Sequence, residues 1–302
     1  MLVQKGTRVV LRVAIPAATG VLPSGSVAEI VEVPVDPLHA YRVRFVNGHE
    51  ASVQRTEFAL LSEVKSEDLS QLPPTLTEHG LREHVIYQCV VGSRAYGLDT
   101  PDSDTDRRGI YQAPTTLVLS LYDPPQQLED DDAQECFWEL KKFLILALKA
   151  NPNVLEVLYS PLVEVAKRAA KELLAIRSAF LSRLVYQTFN GYVLSQFKKM
   201  MRSKETRREP NWRHAMHLIR LLESGIVILE TGELRLRAEH REELLQIRQG
   251  AWPWDRVDRW RRELHERFER AFATTNLPER PDYGVVNDYL IRARRGEFVS
   301  AS

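Results

Sequence analysis

Hydrophobic and polar positions over residues 1 to about 62 fall into short strand-like runs, and the pattern changes to a helical period from about residue 154. Residues 9–13 and 27–33 read as short strands. Tyr41-Arg42-Val43-Arg44-Phe45 alternates strictly, runs into the turn Asn47-Gly48, and returns through residues 51–53. Short strands punctuated by Gly and Pro predict a small β-barrel over residues 1–62. Residues 63–80 are polar, contain Pro73-Pro74, and read as a linker. A central region, 81–160, follows. Its first strand is the apolar run 85–91, its second covers 104–112, and its third covers 135–138, with 123–132 as a loop. A helix begins near Glu139, carries Leu140, Phe143, Leu144 and Leu148 on one face, and stops at Asn151-Pro152-Asn153 because proline cannot continue it. Residues 161–302 predict a helical domain, with helices at 166–184, 196–203, 212–230, 241–248 and 254–272. The class is α+β: a small β-barrel, a central mixed sheet with helices, and a helical C-terminal domain.

Composition narrows the picture modestly. A length of 302 residues suits two or three domains, and 44% apolar residues can fill them. Lys+Arg and Asp+Glu balance at 41 each, so net charge names no partner and local charge must be read instead. Only Cys89 and Cys136 occur, both in apolar stretches, which is no disulfide framework and points to a reducing cytoplasm. No apolar run reaches the roughly 18 residues of a membrane span, and the N-terminus has no signal-peptide pattern. No membrane association is expected.

The chemistry concentrates after the strand at 85–91. Gly92-Ser93-Arg94-Ala95-Tyr96-Gly97 ends that strand, and Ser103-Asp104-Thr105-Asp106-Arg107-Arg108-Gly109 follows. Gly92 to Gly97 has the glycine spacing of a P-loop, but Leu98-Asp99 stands where Lys-Ser/Thr is required. Asp102, Asp104 and Asp106 have the opening spacing of a calcium loop. Arg107 then replaces the glycine at position six and Ala113 the glutamate at position twelve. No GxGxxG follows the strand. What remains is Gly-Ser after a strand and Asp-x-Asp on the next. Side chains two apart on a strand point the same way, so Asp104 and Asp106 form a carboxylate pair that repels itself unless a cation lies between. Hard oxygen ligands suit Mg²⁺ or Mn²⁺ bridging to substrate phosphates. Gly92 permits close backbone approach to a phosphate, and Ser93 adds a hydroxyl. The pattern points to metal-dependent phosphoryl or nucleotidyl transfer.

A third carboxylate is usual in such sites. Glu135 is the first candidate, Glu139 the second and Asp132 the third, while the run Glu129 to Asp132 reads as a solvated loop. Arg94, in the turn, is the better phosphate ligand. Arg107 and Arg108 flank the aspartates and either bind phosphate or pair with them. Arg213, His217 and Arg220 fall at i, i+4 and i+7 on one helix face. They follow a basic stretch with Lys198, Lys199, Arg202, Lys204, Arg207 and Arg208, which reads as a triphosphate or RNA-backbone surface or as a solvated face. The five tryptophans fit a core better than base stacking. Trp260, Leu264 and Phe268 form an apolar stripe that is either core or an interface, and the sequence leaves the oligomeric state open.

These residues resemble the nucleotidyltransferase superfamily of DNA polymerase beta, and within it the nucleotidyltransferases of RNA repair pathways. Gly92-Ser93 with Ser103-Asp104-Thr105-Asp106-Arg107-Arg108-Gly109-Ile110 carries the resemblance. So do Glu139 to Leu144, Asn151 to Glu156, and Arg213 to Leu222. It covers about residues 84–300. The N-terminal part lies outside it and is similar to SH3-like modules. The resemblance implies transfer of a nucleoside monophosphate from an NTP, with pyrophosphate leaving. Gly92 and Ser93 would hold the triphosphate, and Asp104 and Asp106 the metals. The acceptor expected is an RNA 3′ end. A protein or small-molecule hydroxyl, or a non-catalytic RNA-binding protein, are the other readings.

Overall fold

The computed structural model describes residues 2–17, 20–36, 39–70, 78–101, 103–207 and 211–298. It is α+β and divides into two compact units, residues 1–75 with 120–123, and residues 76–119 with 124–302.

The first unit holds β1 (Arg8–Leu11), β2 (Ile15–Ala17), β3 (Gly20–Leu22), β4 (Val27–Glu32), β5 (Tyr41–Phe45), β6 (Glu50–Val53), β7 (Phe58–Leu60) and helix α1 (Leu61–Ser70). Strict alternation in β5 buries Tyr41, Val43 and Phe45 and exposes Arg42 and Arg44. Those side chains join Val9, Leu11, Ile30, Val53 and Phe58 in one core. The strands form an antiparallel sheet in the order β6-β5-β4-β1-β7, and β2 and β3 form a separate hairpin. Among the described residues β6 and β7 do not pair, so the barrel closure expected from the sequence is not observed. Helix α1 occupies the start of the segment read as a linker. Pro73-Pro74 lie outside the described residues.

The second unit opens with α2 (Glu78–Arg82), β8 (Val85–Val90), β9 (Arg107–Tyr111), α3 (Thr115–Val118), β10 (Gln127–Asp130) and β11 (Glu135–Glu139). Next come α4 (Leu140–Leu148), α5 (Pro152–Tyr159), β12 (Val163–Ala166) and α6 (Arg168–Ala175). The chain ends with α7 (Leu184–Arg207), α8 (Trp212–Thr231), α9 (Arg241–Arg248), α10 (Trp254–Thr274) and α11 (Tyr283–Arg294). The mixed sheet has the order β10-β11-β9-β8-β12. β9 and β11 run parallel, and the other neighbours antiparallel. Gly109 sits at its middle, where a Cβ would come within 2.0 Å of the Tyr87 carbonyl oxygen.

Three elements differ from the periodicity. The stretch 127–130, read as loop, is strand β10, because β11 offers it an unpaired edge. β12 interrupts a stretch read as helical and pairs with β8. Helix α11 carries apolar side chains on its exposed face too (Tyr283, Val285 and Ile291), so no one-sided stripe marks it, yet Val286, Tyr289 and Ala293 are buried and the Tyr289 hydroxyl donates to the Ala169 carbonyl at 3.0 Å. The break after α4 is where the sequence places it: the Asn151 side chain accepts from Asn153 N–H, and Pro152 opens α5.

One continuous hydrophobic core runs from Ile86 and Ile110 of the sheet to Leu264 and Phe268 of α10. All five tryptophans belong to it or pack against it, and so does the stripe Trp260, Leu264 and Phe268. Cys89 and Cys136 are buried and free. Among the described residues no helix is long and apolar enough to cross a membrane.

Candidate active site

β8 delivers the chain to Gly92, whose φ of +70° is the left-handed region that favours glycine. The turn it starts is closed by Leu98 N–H to Ser93 O at 2.7 Å and Gly97 N–H to Arg94 O at 3.1 Å. Arg248 of α9 also donates to the Leu98 carbonyl, at 3.2 Å.

β9 begins at Arg107, so Asp104 and Asp106 precede the strand instead of lying on it. The backbone nevertheless continues the ladder, because Val91 N–H donates to the Asp106 carbonyl at 3.0 Å. That bond sets Asp106 against Gly92, where a Cβ would lie 3.0 Å from Asp106 Oδ2. Asp104 is held through its backbone: Arg94 donates to the carbonyls of Ser103 (2.8 Å) and Asp104 (3.3 Å). Arg94, expected as a phosphate ligand, is thus engaged as a loop clamp and does not line the cleft. Arg108 donates to the Arg107 and Gln134 carbonyls at 2.8 and 2.9 Å and contacts Asp106 Oδ1 at 3.4 Å. Of its two expected roles it takes the ion pair with the aspartate.

A cleft of about 300 Å³ joins these parts to the helices. Gly92, Ser93, Asp104 and Asp106 line one side, and Arg213, His217 and Arg220 of α8 with Arg248 of α9 line the other. The structure therefore brings together seven residues singled out in the sequence. Asp102 and Arg208 lie outside the described residues, as do the side chains of Lys204 and Arg207.

Glu135 is not among them. β11 runs parallel to β9 with Glu135 opposite Arg107, so it shares the face of Arg107 and not that of Asp106. Its carboxylate pairs there with Arg82 at 2.8 Å. The register thus places Glu135, the first candidate for the third carboxylate, outside the cleft. Next to Asp106 and Arg108 stand Gln134 and Cys136, neither acidic. Glu139 is buried, caps α4 through Lys141 N–H at 2.7 Å, and pairs with Arg294. Asp132 is exposed. The carboxylate on the Asp106 face is Glu129, opposite Cys136 and so two strands from β9, about 10 Å.

The arginine wall has a buried foundation that the spacing did not disclose. Glu156 of α5 is 6% exposed. Its Oε1 accepts from Arg220 Nη2 and from the Tyr96 hydroxyl, both at 2.9 Å. The Arg220 guanidinium lies 3.9 Å from the centre of the Tyr96 ring. Burial works against its charge, but Glu156 and Tyr96 outweigh it and raise its pKa. Arg220 Nε is buried and, among the described residues, has no hydrogen-bond partner. The signal in the sequence was Glu156 itself, an acid inside the apolar run Val154 to Leu158, where a charge needs a partner. His217 is pushed down to about 3 by burial and then by Arg220, His214, Arg213 and Arg248, so it is a neutral imidazole.

Two carboxylates therefore face three arginines across one cleft. The donor set fits a hard divalent cation. Two carboxylates satisfy part of its shell and leave positions for phosphate oxygens, and the glycine cradle at Asp106 leaves room beside that carboxylate. Among the described residues no cluster of three or more acidic, His or Cys side chains exists to hold a metal without a substrate.

The chain belongs to the RNA repair pathway DNA polymerase beta family, whose model matches residues 64–292. It is similar to the Bacillus subtilis (strain 168) protein named "Uncharacterized protein YcgL", 37% identical over 82 residues, 26% of this chain and 32% of that protein. It is also similar to the Methanocaldococcus jannaschii protein named "Uncharacterized protein MJ0002", 26% identical over 159 residues, 50% of this chain and 62% of that one. The chain thus spans less than two thirds of either relative's length. No solved structure matches it.

Proposed function

We propose that this protein is a metal-dependent nucleotidyltransferase that moves a nucleoside monophosphate from an NTP to the 3′ hydroxyl of an RNA, releasing pyrophosphate. The observation that carries the reading is the single cleft shared by Gly92, Ser93, Asp104, Asp106, Arg213 and Arg220. Gly92 and Ser93 receive the triphosphate through the turn backbone and the Ser93 hydroxyl. Asp104 and Asp106 would hold Mg²⁺ or Mn²⁺, and Arg108 orients Asp106. A bound divalent cation supplies charge neutralisation on the phosphates and acidifies the attacking hydroxyl. Arg213, Arg220 and Arg248 meet the charge that develops on the departing oxygens, and neutral His217 donates a hydrogen bond. The acceptor hydroxyl gives its proton to solvent water, its oxygen bonds to the α-phosphorus, and the α–β phosphoanhydride bond breaks with its electron pair leaving on pyrophosphate. In domain terms residues 81–160 carry the carboxylates and 161–302 the arginines. The N-terminal β unit is an SH3-like accessory, and the site of action is the cytoplasm.

The test is transfer of α-labelled NTP into RNA with Mg²⁺ or Mn²⁺. Asp104→Ala/Asp106→Ala should lose label by at least about a hundred-fold. Equal labelling by the two proteins overturns the reading, and label on a protein or small molecule alone replaces the acceptor.

A further inference from the structure

A second cavity lies across Arg220 from the cleft. Its volume is about 630 Å³, roughly twice that of the cleft, and Arg220 is the one described residue that lines both. Tyr96 and Gly97 form one wall, Glu223 and Ser224 of α8 another, and the segment after α8 the third. That segment alternates: Leu234 and Leu236 are buried, while Arg235 and Arg237 are exposed. Side chains two apart in extended chain project the same way about 6.6 Å apart, so the two guanidinium groups make a short cationic track at the rim. Arg235 has one long contact, to Glu233 at 3.7 Å. Arg241 is tied to the Gly97 carbonyl. Of the two acids in the lining, Glu223 is already bonded to His240. Arg220 is neutralised by Glu156, so the cationic character of the cavity lies at its exposed rim, on Arg235 and Arg237, and the partnerless Arg220 Nε is buried in the wall shared with the cleft.

We infer that this cavity docks the acceptor as a single-stranded polynucleotide, with one nucleoside in the cavity and the adjoining phosphodiesters on Arg235 and Arg237. The volume suits a nucleoside. Guanidinium groups recognise phosphate by paired N–H bonds. Arg220, stacked on Tyr96 and paired with Glu156, is a buried part of the wall behind the cavity. The acceptor role rests on the nucleotidyl-transfer reading, but the binding of a polynucleotide does not.

The experiment measures fluorescence anisotropy of a 5′-fluorescein decamer of uridylate with the full chain in EDTA, over a salt series. Arg235→Glu/Arg237→Glu should bind at least about ten-fold more weakly, with the salt slope smaller by about 1.4, the value for two phosphate contacts on a single strand. Arg259→Glu/Arg270→Glu, the same charge change at exposed α10 positions outside the cavity lining, should bind like the wild type. A thermal melt unchanged by either substitution keeps folding out of the comparison. Wild-type affinity in Arg235→Glu/Arg237→Glu overturns the proposal. So does a wild-type chain that ignores the decamer but binds poly-glutamate, which would make the occupant an acidic polypeptide. Label transfer on the same preparations is read separately: its failure with RNA binding retained counts against the transferase reading, not against the docking site.

Discussion

Removing Glu156 should destabilise the second unit far more than an ordinary surface acid would. Its carboxylate is buried and accepts two hydrogen bonds, from Arg220 and from Tyr96. Glu156→Leu leaves the Arg220 charge buried without its counter-ion and strands the Tyr96 hydroxyl. Breaking one partner out of a buried pair costs about 3–5 kcal/mol. At roughly 2–4 °C per kcal/mol for a unit of this size, the melting temperature should fall by about 6–20 °C. Removing both charges is a different perturbation, because no unpaired ion remains. Glu156→Leu/Arg220→Met should therefore recover most of the loss and lie within about 1–2 kcal/mol of wild type. Thermal and urea unfolding of the wild type, the two single variants and the double variant make the cycle. A Glu156→Leu cost below about 1 kcal/mol, or a double variant no more stable than Glu156→Leu, refutes the reasoning. Either result would mean that the charge on Arg220 is not maintained by this pair.

The other predictions concern the cleft and the sheet. His217 has a folded-state pKa of about 3 against an ordinary value of 6.5. Its contribution to stability is therefore complete above about pH 6.5 and is lost as pH falls toward 3. The slope approaches about 1.4 kcal/mol per pH unit, and His217→Asn should flatten it in urea titrations between pH 6 and 4. Gly92→Ala places a Cβ 3.0 Å from Asp106 Oδ2 at a φ of +70°. It should cost about 1–2 kcal/mol in unfolding assays and depress label transfer by more than that loss explains; unchanged transfer would remove Gly92 from the site. Glu135→Gln should leave label transfer within about two-fold of wild type, since its partner is Arg82 on the opposite face of the sheet; a hundred-fold loss would restore it as the third carboxylate. Gly109→Ala should prevent the sheet from forming, because a Cβ meets the Tyr87 carbonyl at 2.0 Å, and soluble expression with near-wild-type melting would contradict that packing.

Local chemistry made much of this protein legible in its sequence. Alternation in residues 41–45, the proline break at 152 and the helical period of 212–230 depend only on neighbours in the chain, and each element formed where its pattern lies. Gly92, Asp104 and Asp106 were legible for the same reason: a turn after a strand and two carboxylates at spacing two are short-range facts. Tertiary structure decided what depends on partners distant in sequence. Register put Glu135 on the face of Arg107, opposite that of Asp106, because a one-residue step in a strand reverses a side chain, and nothing local specifies which residue of β9 it meets. Edge pairing made strands of 127–130 and 163–166. Burial turned Arg220 from one member of a basic stripe into half of an ion pair with Glu156, 64 residues away. It also kept His217 neutral, since desolvation is set by every element packed around a group and not by its own helix.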